Sequence, residues 1–84
     1  MKQVALTAQA MEQFSDLPRS IQPRINNVIL RLAQWPNISG TKALTGNLAG
    51  NYRIRTGDYR IVFKVTAEKI IIWKIANRKD VYLD

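Results

Sequence analysis

The sequence predicts an α+β fold: a β-α-α-β-β-β order with a helix hairpin packed on one face of a small antiparallel sheet. Three observations point there. Apolar residues recur at helical spacing before Pro36, they alternate with polar residues after Asn51, and the stretch between holds Gly40, Gly46 and Gly50. At 84 residues the chain is read as one domain spanning 1–84. A chain of this length buries only about 60–65% of its unfolded surface, so its stability margin is small.

Each element has a local reason. Lys2–Leu6 is a short strand candidate, and Thr7 after it can cap a helix N-terminus. Ala10, Phe14 and Leu17, with Met11 beside them, form one apolar stripe of a first helix that Pro18 ends. Ile21, Ile25, Val28 and Leu32 form the stripe of a second helix. Ser20 is its candidate cap and Pro23 falls in its first turn, where a missing N–H costs little. Trp35-Pro36 closes that helix, and Pro36–Asn51 reads as a loop. Tyr52–Arg55, Tyr59–Val65 and Lys69–Ala76 are strands joined at Thr56-Gly57-Asp58 and Ala67-Glu68, with Val81-Tyr82-Leu83 as a further short piece.

Alternation assigns faces. Tyr52 and Ile54 point one way, as do Tyr59, Ile61, Phe63 and Val65. If those sets face the helices, Arg53, Arg55, Arg60 and Lys64 gather on the opposite face. In the third strand Ile71, Trp73 and Ile75 fall on one face and Ile70, Ile72, Lys74 and Ala76 on the other. The net charge is +7, and most of the surplus lies between Lys42 and Asp80. A basic domain of this kind suits a polyanion, either a nucleic acid or an acidic protein.

Composition narrows the chemistry. The chain has no cysteine and no histidine, which removes disulfides, thiol nucleophiles, imidazole proton transfer and any ordinary zinc site. No metal and no cofactor is expected. The longest unbroken apolar run is Ile70–Trp73, far short of a membrane span. The N-terminus lacks the apolar block of a secretion signal, so a cytoplasmic location is the default expectation. No carboxylate dyad, phosphate loop, helix-turn-helix or RNA-recognition aromatic pair is readable. What remains is an arginine and lysine cluster with tyrosines. Such a set suits cleavage of an RNA phosphodiester by its own 2′-OH, because guanidinium groups hold the phosphoryl oxygens on which charge builds. Arginine does not take up the 2′-OH proton, since it stays protonated; a tyrosine made more acidic by nearby cations can. From the pattern alone, Tyr82 is more simply an edge-strand core tyrosine.

Asn51-Tyr52-Arg53-Ile54-Arg55-Thr56-Gly57-Asp58-Tyr59-Arg60-Ile61-Val62-Phe63 resembles the central hairpin of the RelE/ParE toxin superfamily, and Ile75–Tyr82 resembles its C-terminal signature. The element order is similar too, so the resemblance covers nearly the whole chain. It implies a RelE-like fold and a toxin of a type II toxin-antitoxin system. In the RelE branch it implies an mRNA endonuclease, working without metal in the ribosomal A site. By position, Arg53 and Arg55 match residues that hold phosphate and help activate the 2′-OH. Arg60 matches the residue that stabilises the transition state, Arg78 the leaving-group acid or charge stabiliser, and Tyr82 the tyrosine that stacks on or activates the nucleotide. Lys42, Lys64 and Lys79 are the accompanying RNA-contacting candidates. The resemblance also implies an acidic antitoxin that folds on binding, in a higher-order hetero-oligomer. The sequence departs from the pattern in having Asn77-Arg78 where many relatives have His-Arg, and arginines at 53 and 55 where some have lysines. Its alternatives are a ParE-like inhibitor of DNA gyrase and a non-catalytic RNA- or protein-binding module of the same fold.

Overall fold

The computed structural model describes residues 2–77. Arg78, Lys79 and Tyr82, and the short piece expected at Val81–Leu83, lie outside the described residues. The elements run β1 (Gln3–Leu6), α1 (Ala8–Ser15), α2 (Gln22–Leu32), β2 (Thr41–Ala43), a single 3₁₀ turn (Gly46–Leu48), β3 (Asn51–Thr56), β4 (Tyr59–Val65) and β5 (Lys69–Asn77). The strands form one sheet in the order β1-β5-β4-β3-β2, with both helices packed on the same face.

Two of the expectations need correction. The sheet is mixed, not antiparallel: β1 pairs parallel to β5, Val4 opposite Ile70 and Leu6 opposite Ile72. The cause is a strand count. The loop read between Pro36 and Asn51 contains β2, paired antiparallel to β3 through Lys42 and Arg53. β2, β3, β4 and β5 then alternate in direction, so the last strand returns beside β1 pointing the same way. β2 is only three residues long, too short for alternation to be seen, and it is a strand because β3 offers it a free edge. The second correction concerns Ser20. Helix α2 begins with Ile21 at its N-cap, already in helical backbone geometry and without a side-chain cap. Pro18 takes over instead, its carbonyl accepting from the N–H groups of Ile21 and Gln22. The Gln22 side chain reaches back to the carbonyls of Phe14, Ser15 and Leu17 at 3.2–3.4 Å. Thr7 does cap α1, its hydroxyl accepting from the Ala10 N–H at 3.2 Å, and Pro23 does fall in the first turn of α2.

The core lies between helices and sheet. Ala10 from α1 and Ile25, Val28 and Leu32 from α2 meet Ile54, Ile61, Phe63, Ile70, Ile72 and Ile75, all buried. Trp35 closes the far end of this layer. Its ring stands edge-on to Tyr52 at 4.7 Å and to Phe63 at 5.7 Å, and Tyr52 stacks on its cross-strand partner Phe63 at 5.8 Å. Strand β1 stops opposite Ile72, so the rest of β5 has no strand beside it on that edge. Helix α1 supplies partners there. The Gln9 amide donates to the Trp73 carbonyl at 2.8 Å, and Gln13 Oε1 accepts from the Ile75 N–H at 2.7 Å.

The β3–β4 hairpin is closed by Gly57-Asp58. Gly57 has φ +59°, and no non-glycine residue has positive φ among the described residues. A tight turn with only its first central residue in that region is the type II′ geometry that matches strand twist. A Cβ at Gly57 would also stand 2.9 Å from Arg24 Nη1 of α2. Gly57→Ala is therefore expected to lower unfolding free energy by about 1–2 kcal/mol, read by urea denaturation. Gln13→Ala removes the acceptor of the Ile75 amide, and hydrogen exchange at that amide should accelerate while exchange at Ile70 and Ile72 stays as it is.

Candidate functional site: a cationic face of the sheet

The face away from the helices is set by the register. Arg53, opposite Val62, and Arg55, opposite Arg60, share it, as does Asn51, opposite Lys64. Lys42 joins from β2 opposite Arg53, and Lys74 from β5 opposite Val62. The described part of the expected site is thus brought together: Lys42, Arg53, Arg55, Arg60 and Lys64 occupy one surface. None of the strands contains an aspartate or glutamate among the described residues, so no strand position puts an anion among these cations.

The cations differ in exposure, and that separates their roles. Arg55, Lys42 and Lys64 are exposed and Arg60 is half-buried, whereas Arg53 is only 8% exposed. The Nε atoms of Arg53 and Arg60 are buried. A buried guanidinium is held in place and aims its charge; an exposed one can follow a flexible ligand. Arg55 and Arg60 stand directly opposite each other, a placement that costs stability between like charges.

Strand β5 is where alternation misleads. Phe63 pairs with Ile72 and Val62 with Lys74, so Trp73 is an extra residue in a β-bulge. The bulge shifts the phase of the strand by one. Ile70 and Ile72 face the core before it, and Ile75 faces the core after it. Neither face read from alternation for this strand is therefore the core face throughout. Trp73 and Lys74 both emerge on the cationic side. The Trp73 indole N–H donates to Asn51 Oδ1 at 2.9 Å, and the Asn51 amide donates to the Leu48 carbonyl at 3.1 Å. Lys74, Trp73 and Asn51 are members of this surface that alternation did not place. The signal available was the unbroken run Ile70–Trp73, which no simple period-two strand explains.

A separate cleft of about 450 Å³ lies beside the bare edge of β5, lined by Gln13, Asp16, Leu17, Tyr59, Ile75 and Asn77 among others. Lys74 and Ala76 also line it, so the cleft meets the cationic face along β5. No group of histidine, cysteine, aspartate and glutamate suited to a metal ion occurs among the described residues, and no described helix is long and apolar enough to cross a membrane.

The chain is similar to known proteins along almost its whole length. The family model for the ParE toxin of type II toxin-antitoxin systems matches residues 4–82. Among solved structures, a chain of the toxin-antitoxin complex RelBE2 from Mycobacterium tuberculosis superposes with a TM-score of 0.82 at 24% identity, covering 92% of this chain and 98% of that one. A chain of the RelB-RelE antitoxin-toxin complex from Methanococcus jannaschii gives 0.78 at 26% identity, covering 93% and 94%. The isolated RelE toxin of E. coli gives 0.76 at 15% identity, covering 92% and 84%, a likeness of fold. No curated protein matches the chain.

The crowding of like charge has a measurable consequence. Arg55→Thr relieves the repulsion across the hairpin and keeps a good strand residue. The variant should be more stable than the parent by up to about 1 kcal/mol at low ionic strength. The gain should shrink in high salt as screening removes the repulsion, read from denaturation midpoints at both salt levels.

Proposed function

The chain belongs to the ParE toxin family of type II toxin-antitoxin systems, and from that premise we propose that it is a ribosome-dependent mRNA endonuclease. The observation that carries this reading is the set of arginines in register on one face of the hairpin, Arg53, Arg55 and Arg60, with no carboxylate in the strands among the described residues. A toxin that worked only by binding would need charge, but not guanidinium groups converging from neighbouring strands.

The mechanism follows from the residue types. The ribose 2′-OH attacks the adjacent phosphorus in line, the P–O5′ bond breaks, and the products are a 2′,3′-cyclic phosphate and a 5′-hydroxyl. Arg53, held in place by burial, and Arg55 grip the phosphate and fix the attack geometry. Arg60 opposes Arg55 and meets the charge that accumulates on the phosphoryl oxygens in the transition state. The 2′-OH proton needs an acceptor that no arginine supplies; Tyr82 takes that role, and Arg78 stabilises the charge on the departing 5′-oxygen, which takes its proton from water. Lys42, Lys64 and Lys79 hold the flanking backbone. The protein's own contribution is electrostatic preorganisation, since Arg53, Arg55 and Arg60 share one face before the substrate arrives.

The partner of the free toxin is an acidic antitoxin segment that orders as it covers the cationic face. Its binding would remove like-charge repulsion and stabilise the small domain by mass action. The toxin-antitoxin complexes among the similar structures support a partner of this kind.

A gyrase-directed activity is the second reading, favoured by the ParE description of the matching family. Two assays separate them. In primer extension on an mRNA being translated in vitro, the wild type should leave cuts in the reading frame. Arg60→Ala should lower the cleavage rate about 10²- to 10³-fold. Absence of cuts together with trapped gyrase–DNA complexes in a supercoiling assay would replace the nuclease reading with the gyrase one.

A further inference from the structure

We infer that Trp73 is a stacking platform for one unpaired base of a single-stranded RNA lying across the cationic face, an inference that rests on the RNA-directed reading above. The bulge puts Trp73 on the same side as Arg53, Lys64 and Lys74. Its indole N–H reaches Asn51 on β3 from β5, with β4 in between. Adjacent strands are roughly 4.8 Å apart, so a ring that bridges this span lies along the sheet and does not stand out from it. One π face is then against β4 and the other is turned outward. The residue is half-buried, as that posture requires.

The ring is also locked. Asn51 accepts from the indole and is itself fixed by donating to the Leu48 carbonyl. A platform held by hydrogen bonds at its edge loses little conformational freedom when a base settles on it. Beneath the span lies Val62, fully buried although it sits on the open face. Covering a valine needs only an aliphatic chain, and Ile71 is available on the same face. An indole with its N–H fixed across the sheet exceeds that need. The ligand chemistry follows from the neighbours. Lysines and arginines flank the ring, so the backbone of the ligand is anionic, and the uncharged element in their midst fits its base. Stacking of this kind tolerates any base, since each has a π face.

The test uses the full chain and a short, unstructured oligoribonucleotide with 2′-O-methyl sugars, which leaves no hydroxyl to attack. A matched abasic oligomer serves as the comparison. Trp73→Leu should bind the base-bearing oligomer about 5- to 100-fold more weakly by fluorescence anisotropy. Its log–log salt slope should be unchanged because no phosphate contact is lost, whereas Arg55→Ala should reduce the slope by about 0.7. Trp73→Phe should restore most of the affinity, and the abasic oligomer should bind the parent and Trp73→Leu alike. In the unaltered protein, the RNA should shift the indole N–H resonance of Trp73 and leave that of Trp35, packed against the core on the helix side, in place. Equal binding by Trp73→Leu, an equal loss for the abasic oligomer, or an unmoved Trp73 resonance would overturn the stacking role. If salt-dependent binding persisted in those cases, the RNA-directed reading would survive them. A parent that fails to bind the RNA at low salt would overturn the stacking role, while the ribosome-dependent reading stands or falls by the primer-extension assay.

Discussion

The rest of the molecule depends on one face of the sheet being sealed by α1 and α2. Ile25 and Leu32 from the second helix and Ala10 from the first are fully buried against Ile61, Phe63, Ile70 and Ile72. A domain of this size has one such layer to spend, and at about 25 cal/mol per Å² of apolar surface it supplies most of the favourable free energy. The other face therefore has little apolar surface to bury beyond Val62. It carries Lys42, Arg53, Arg55, Arg60, Lys64 and Lys74 at a cost the sealed face must cover. Fold and function are divided between the two sides of the same strands, and alternation along each strand is the device that divides them.

This division was legible where alternation is clean. In β3 and β4 the period of two assigned Ile54, Ile61 and Phe63 to the core face and Arg53, Arg55 and Arg60 to the opposite face, and the register has them so, although Arg53 is buried there. It was not legible in β5, because the bulge opposite Val62 and Phe63 is a property of the pairing of two strands, and the run Ile70–Trp73 signals a break in alternation without placing it. The direction of β1 was hidden for a similar reason. Val4 and Leu6 reveal which face they join but not which way their neighbour runs. Ser20 looked like a helix cap because of its residue type, but the turn at Pro18 had already satisfied the N–H groups it would have served. The arginines of the hairpin could be found from the sequence; Trp73 and Lys74 needed the register.

Electrostatics ties the face to its partners. Like charges opposite each other on adjacent strands make the isolated protein less stable than its core alone would allow. Any polyanion that covers the face would recover that energy, and under the proposed function an RNA backbone and an acidic protein segment would compete for the same ground. Burial adds selectivity among the cations. Arg53 is nearly enclosed and rigid, while Arg55 and Lys64 are open, so a ligand meets both a fixed anchor and adaptable contacts. Under that proposal, regulation by an acidic partner would need no separate site, because occupancy of this surface by one ligand would exclude the other.

The parallel pairing of β1 with β5 also bears on how the protein is made. Gln3 lies beside Lys69 and Leu6 beside Ile72, so the first strand to be synthesised waits for the last described one. Contacts of such wide sequence separation close late and slow folding. Until β5 arrives, Val4 and Leu6 have no strand to join, and the sheet lacks Ile70, Ile72 and Ile75 from its core. A nascent chain that stops before β5 therefore has neither a finished interior nor the surface formed by Trp73 and Lys74. Translation must run nearly to the end of the domain before it yields anything able to act, a built-in delay for a protein proposed to turn on the machinery that makes it.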